Sequence, residues 1–257
     1  MDTSPFPLQN NILASLHMRD ENLLLASLSD AERKKLSPYL EDVVLSCQQV
    51  LIQPNQEITE IYFPYDAITS VVQDLSDGDS VETGLMGVDG LVGVQLWLHA
   101  RTTPTRTFVQ IAGKAHHMRA SDFIHQVRDA DSPMNEICGK YVHAFLNMTS
   151  QTAACNRLHP VNKRLCRWLK LVHNRIRRDE FPIRQEFMAL MLGVHRPTVS
   201  TAAKMLQHNG LINYSRGHMR ILDADALRKG SCECLDLIEK QFNRAFQRPL
   251  QEGLRSS

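Results

Sequence analysis

Between residues 41 and 119 the apolar positions fall in short, near-alternating runs, each broken within a few residues by turn formers. Val43 to Leu45, Val50 to Ile52, Glu60 to Phe63, Ile68 to Leu75, Ser80 to Met86, Thr107 to Ala112 and Lys114 to Arg119 predict strands. Gln53-Pro54-Asn55, Pro64-Tyr65-Asp66, Ser76-Asp77-Gly78-Asp79 and Ala112-Gly113 supply the breaks. Many short strands at regular intervals predict a sandwich or barrel-like roll. Ahead of them, Leu23 to Leu40 predicts a helix, with Leu28, Leu36 and Leu40 available to cover one end of the roll.

After Ser132 the period changes. Met134, Ile137, Tyr141, Phe145, Met148 and Thr152 recur in alternating steps of three and four, with no proline after Pro133. So narrow a seam with polar flanks is the coiled-coil form of the pattern, and these six residues are the expected homodimer interface. The alternative is a helix that packs on its own sheet. His159-Pro160 predicts a hinge, because the residue before proline is pushed out of the α region. Val161 to Arg177 then predicts a basic amphipathic helix. Leu165, Trp168, Leu169 and Val172 are expected to be buried, and Lys163, Arg164, Arg167, Lys170, Arg175, Arg177 and Arg178 exposed.

From Gln185 the pattern becomes two short helices and a hairpin. Phe187, Met188, Leu190, Met191 and Leu192 give the first helix its bulk, and Gly193 suits a turn that needs positive φ. Pro197 fits the first turn of a second helix, where its missing N–H costs nothing. Val199, Ala202, Ala203 and Leu206 can face inward, leaving Arg196, Thr198, Ser200, Thr201 and Lys204 outside. Gly210 ends that helix. Leu211 to Tyr214 and Met219 to Leu222 predict two strands joined through Arg216, Gly217 and His218. These are the parts of a winged helix-turn-helix, whose second helix enters a major groove. Arg196, Thr198, Ser200 and Thr201 are the candidates for base readout. His195, Lys204, Arg216 and His218 are the candidates for phosphate contact.

Charge sharpens this picture. The 257 residues carry a net charge of only +1, yet residues 156–230 hold 15 Lys and Arg against 5 Asp and Glu, whereas residues 1–155 hold 10 against 19. A basic module joined to an acidic one is a nucleic-acid footprint. No apolar run approaches a membrane span and the N-terminus lacks an export signal, so a cytoplasmic location without membrane association is expected. The six cysteines lack the pairing of a disulfide scaffold. Cys232 and Cys234 lack zinc-finger spacing and have no second pair close in sequence, so no metal or cofactor is expected. His116 and His117 adjoin on a strand and point to opposite faces. No phosphate loop, nucleophile elbow or metalloprotease helix is present, so no enzymatic activity is expected.

A β-roll, a long helix and a winged helix in this order resemble the Crp/Fnr family of bacterial transcription regulators, from about Leu24 to Phe242. Its specific parts are the helix-turn-helix from Gln185 to Leu211, the wing from Tyr214 to Leu222, the Tyr62-Phe63-Pro64 turn and the stretch from Gly87 to Gly93. Ser231-Cys232-Glu233-Cys234 is similar to a segment of one subgroup. The resemblance implies an α+β fold: an N-terminal cyclic-nucleotide-binding-like β-roll (1–131), a dimerisation helix (132–158), a winged helix-turn-helix (159–230) and a helical tail (231–257). It also implies a homodimer on palindromic duplex DNA that contacts RNA polymerase. Gly90-Leu91-Val92-Gly93 lacks the glutamate that holds the ribose in cyclic-nucleotide-binding members, and the cassette arginine falls at Thr105. Control by cyclic AMP is therefore not expected, and the effector is unknown. Gly90, Leu91, Gly93, Arg101 and Arg106 are the candidate lining for another one. The N-terminal cysteine cluster of the iron–sulfur branch is absent. Arg196 matches the family arginine that reads guanine, whereas Pro197 and Thr201 depart from the usual residues, which implies a different operator. The alternative function is a roll that binds a small ligand or partner, with a basic domain that binds RNA.

Overall fold

The computed structural model describes residues 21–76 and 78–246. Two antiparallel sheets form the roll. One has the order β1 (Glu41–Leu45), β7 (Gly113–Arg119), β3 (Glu60–Pro64). The other has the order β2 (Val50–Ile52), β6 (Arg106–Ile111), β4 (Ile68–Asp74), β5 (Ser80–Met86). The seven strands are those the alternation predicts, with ends moved by a residue or two. Ile61, Phe63, Ile68, Val72, Leu91, Phe108, Ile111 and Met118 fill the space between the sheets.

The helix expected from Leu23 to Leu40 is instead α1 (Leu23–Ala26), α2 (Asp30–Leu36) and a 3-10 turn, Ser37–Tyr39. Local hydrogen bonding breaks it. Ser29 caps a new helix by accepting from Glu32 N at 3.2 Å, and Pro38 cannot continue it. Asn22 caps α1 through Leu24 N at 2.9 Å, while its amide donates to Pro64 O and Gly90 O, both at 2.8 Å. One buried side chain thereby pins this segment to the roll.

After α3 (Ala120–Val127), Ser132 accepts from Asn135 N at 3.0 Å and starts α4, Pro133–Leu158. The helix ends at His159, whose ψ of 145° ahead of Pro160 is the predicted hinge. The seam, however, is not a surface. Met134, Ile137, Tyr141, Met148 and Thr152 are buried within the chain and Phe145 is half-buried. Tyr141 Oη donates to Leu91 O at 3.3 Å and its ring meets Phe242 edge-on. The Phe145 ring lies so close to Gly84 that a Cβ there would collide with it. The expected dimer residues are thus inward-facing, because the roll and α9 (Cys234–Phe246) both pack on them. The outward stripe of α4 is Glu136, His143, Leu146, Ser150, Ala153 and Arg157.

A second correction concerns α5 (Val161–Ile176). Arg164, Arg167 and Arg175 are not exposed but 6%, 3% and 3% accessible, since α5 is enclosed between the roll, the winged helix and α9. Each has a partner: Arg175 donates to Asp89 at 2.7 Å, Arg167 to Thr152 at 3.4 Å and Arg164 to the Leu192 carbonyl. Glu82 of β5 is buried among them, and burial lifts its carboxyl to about 7 against the pull of Ser70, Arg167, Trp168 and Arg175.

Candidate nucleic-acid interface

The C-terminal module places α6 (Gln185–Leu192) and α7 (Arg196–His208) against α5, and closes with the sheet β8 (Glu180–Pro182), β10 (His218–Ile221), β9 (Ile212–Ser215). Gly193, at φ 56°, turns the chain between the helices. Met188, Met191, Leu192, Val199, Ala202, Ala203 and Leu206 lock their inner faces. Alanines at 202 and 203 allow the close approach that larger side chains would prevent. β8 has no signature in the sequence, since Phe181 between charge and proline gives no alternation to detect. Met219 pairs with Phe181 on one side and Tyr214 on the other. At the tip of the wing, Arg216 and Gly217 have φ values of 50° and 80°, the left-handed pair of a tight hairpin turn.

His195, Arg196, Thr198, Thr201, Lys204, Arg216 and His218 are all exposed. Ser200 is half-buried and donates to Gln185 Oε1 at 2.8 Å, so its hydroxyl is turned to α6. Thr201 Oγ1 donates to Pro197 O at 3.1 Å, which leaves its methyl and remaining lone pair outward. Arg196 pairs with Glu186 at 2.9 Å, but the two side chains are 63% and 57% exposed, and an ion pair so wet is readily exchanged.

Arg184 joins this surface without any signal in the linear sequence. It precedes α6, and Ile183 N donates to Gly217 O at 2.8 Å, bringing this arginine beside the wing. Arg184, Arg196 and Arg216 line one cleft of about 360 Å³ with Gln185, Glu186 and Tyr214. A second cleft, of about 550 Å³, separates His195 and Thr198 from the β4–β5 hairpin at Asp79, Ser80 and Val81.

The candidate effector residues do not come together as free polar groups. Arg101 pairs with Glu57 at 2.9 Å. Arg106 makes a two-pronged contact with Asp74, 2.9 Å for each bond, and holds that carboxyl below its ordinary range. Leu91 and Val92 are wholly buried. Gly90 packs on Met86, and Gly93, at φ 93°, packs on Ile61, so neither opens to a ligand. By contrast, Cys155 and His159 stand next to Cys232 and Cys234, a second ligand pair that linear spacing could not reveal.

A helix with a locked apolar face, an exposed polar face and a basic wing beside it defines a winged helix-turn-helix, a DNA-binding module. Comparison with known proteins gives the family. Residues 163–229 match the Crp-like helix-turn-helix domain. The fold as a whole is that of FixK2 from Bradyrhizobium japonicum, with a TM-score of 0.63 and 11% identity over 75% of this chain and 98% of that one. It is equally that of the c-di-GMP-responsive global regulator CLP from Xanthomonas campestris (0.60, 13%, 76% and 100%). A Crp/Fnr-family transcriptional regulator from Thermus thermophilus is also similar (0.59, 13%, 74% and 97%). No curated protein matches the chain significantly in sequence. The chain therefore carries a Crp-like helix-turn-helix domain on the fold of the Crp/Fnr transcription regulators. Among the described residues no helix is long and apolar enough to cross a membrane.

Proposed function

We propose that this chain is a sequence-specific transcription regulator that binds palindromic duplex DNA as a homodimer. The observation that carries the reading is the exposed row Arg196, Thr198, Thr201 and Lys204 along α7, flanked by the Arg184–Arg196–Arg216 cleft. Thirteen residues of helix, about 20 Å at 1.5 Å per residue, suit a major groove. Arg196 exchanges Glu186 for a guanine edge, Thr198 and Thr201 contact neighbouring bases, and Ser200 acts through Gln185. His195, Lys204, Arg184, Arg216 and His218 hold phosphates.

Dimerisation uses the outward stripe of α4, where Leu146 is 59% exposed on a 26-residue helix flanked by small and polar residues. Two-fold symmetry then presents two recognition helices to successive turns of one face of the duplex. RNA polymerase is the expected partner at the promoter. Cyclic AMP is not the effector: the Leu91–Val92 segment is packed into the core, and the arginine nearest the cassette position is committed to Asp74. An electrophoretic shift with a symmetric operator and its scrambled counterpart tests the reading, in the presence and absence of cyclic AMP. Strong preference for the symmetric duplex, unchanged by the nucleotide, is expected. Equal affinity for both duplexes contradicts sequence-specific binding, and a tenfold gain with cyclic AMP contradicts effector independence.

A further inference from the structure

Four side chains that the DNA reading does not use meet at the far end of α4. Cys155 lies in its last turn and His159 caps it, one turn further on. Cys232 and Cys234 lie where α8 (Ala224–Gly230) passes into α9. Their ligand atoms, three sulfurs and one imidazole nitrogen, all lie within 4.8 Å of one another. Cys155 Sγ is 3.5 Å from Cys232 Sγ, and Cys234 Sγ is 3.4 Å from His159 Nδ1. A tetrahedron with bonds of about 2.3 Å to sulfur and about 2.0 Å to nitrogen sets its donors roughly 3.5–3.8 Å apart. The cluster is thus within small side-chain motions of closing on a single ion.

We propose that Cys155, His159, Cys232 and Cys234 form a structural zinc site that binds one Zn²⁺ per chain. The donor set is the soft, closed one that zinc prefers, and the three thiols are 0%, 3% and 0% exposed, so no open position faces solvent. The surroundings carry the marks of a metal site. Glu233 meets His159 Nε2 at 3.2 Å, which orients the ring and leaves Nδ1 toward Cys234. Gln151 Nε2 donates to Cys234 Sγ at 3.0 Å. The neighbouring Cys155 thiol, with Arg167 adding to it, holds the Cys232 thiol down to about 5, so a thiolate is available at neutral pH.

Charge balance points the same way. Three thiolates and a neutral imidazole around a divalent ion leave one negative charge. Arg164 and Arg167, buried alongside and each with an unpartnered Nε, offset it. An iron–sulfur cluster would place irons and sulfides between the cysteines and hold them farther apart than this packing allows. The ion ties the end of α4 to the segment that follows the wing. It therefore closes, at its base, the loop that contains α5 and the whole winged helix, and its binding energy adds to the folding energy of the module.

Zinc binding is tested on the full chain, independently of any DNA. Protein purified under reducing conditions, loaded with Zn²⁺ and gel-filtered is expected to carry one zinc per chain by elemental analysis. Replacement by Co²⁺ is expected to give the visible absorption of a tetrahedral thiolate site. Cys155→Ser and Cys232→Ser should each weaken zinc at least tenfold, and Glu233→Ala by roughly tenfold. Cys47→Ser, outside the cluster, should leave it unchanged. Since a cysteine variant can misfold, the unaltered chain is also stripped with a chelator and reloaded, and it should regain one zinc and a higher Tm. Less than about a tenth of an equivalent of zinc on the folded full chain overturns the proposal. So does iron with acid-labile sulfide in its place, or undiminished zinc in the Cys232→Ser/Cys234→Ser variant.

Discussion

Arg196 and Arg216 occupy one basic cleft but are assigned different work, and that difference is measurable. Arg196 sits in the first turn of α7, where a bidentate contact to guanine discriminates by about 1–3 kcal/mol against a wrong base. Arg196→Ala should lower affinity for the operator and flatten the penalty of substitutions at one position of each half-site. Arg216→Ala and Arg184→Ala should weaken all duplexes alike and reduce the salt slope by about one apiece. Competition with single-base operator variants distinguishes these outcomes; undiminished discrimination by Arg196→Ala would remove that residue from readout. The exposed polar row was legible because helical spacing alone separates it from Val199, Ala202 and Leu206. Arg184 was not, since its place beside the wing depends on β8 pairing with β10 across more than thirty residues of chain.

At the scale of elements, α4 shows what periodicity can and cannot reveal. The spacing of Met134 through Thr152 marks an apolar seam correctly, but a seam does not state what covers it. Here the roll and α9 cover it, and α9 left no trace in the sequence beyond an amphipathic tail. The same limit explains α5: Arg164, Arg167 and Arg175 look like a solvated basic face until Asp89, Thr152 and the Leu192 carbonyl take them up. Strands, the hinge at His159-Pro160 and the helix-turn-helix were legible because each rests on local rules of alternation, proline sterics and turn chemistry. Two substitutions one residue apart separate the two faces of α4. Leu146→Glu should shift the chain from dimer to monomer in sedimentation without loss of Tm. Phe145→Glu should instead destabilise the fold by about 2–4 kcal/mol, because its ring fills the space over Gly84. A dimer that survives Leu146→Glu would place the interface elsewhere.

At the scale of the molecule, the winged helix is docked on the roll through buried charge, and this docking should respond to pH. Glu82 is held at about 7, above an ordinary carboxyl, chiefly by burial. The folded state therefore binds its proton more tightly than the unfolded state does. This contribution is fully present below the unfolded value and is lost as pH rises through about 7, an interval worth roughly 2–3 kcal/mol. Glu82→Gln, neutral at every pH, should flatten the fall in stability between pH 5 and 8 and gain most at pH 8. Denaturant titrations across that range would contradict this if the variant lost stability equally at all pH values.

Also on this scale lies the claim that two copies of the chain read DNA through α7. It is tested most directly by selecting duplexes from a random pool with the full-length protein and sequencing those retained. The account predicts a two-fold symmetric motif with half-sites about one helical turn apart. Binding to that motif should fall by about 10³–10⁵ between 50 and 200 mM salt, as for a dimer contacting 6–10 phosphates. A pool that stays unenriched, or a retained motif without two-fold symmetry, would contradict it.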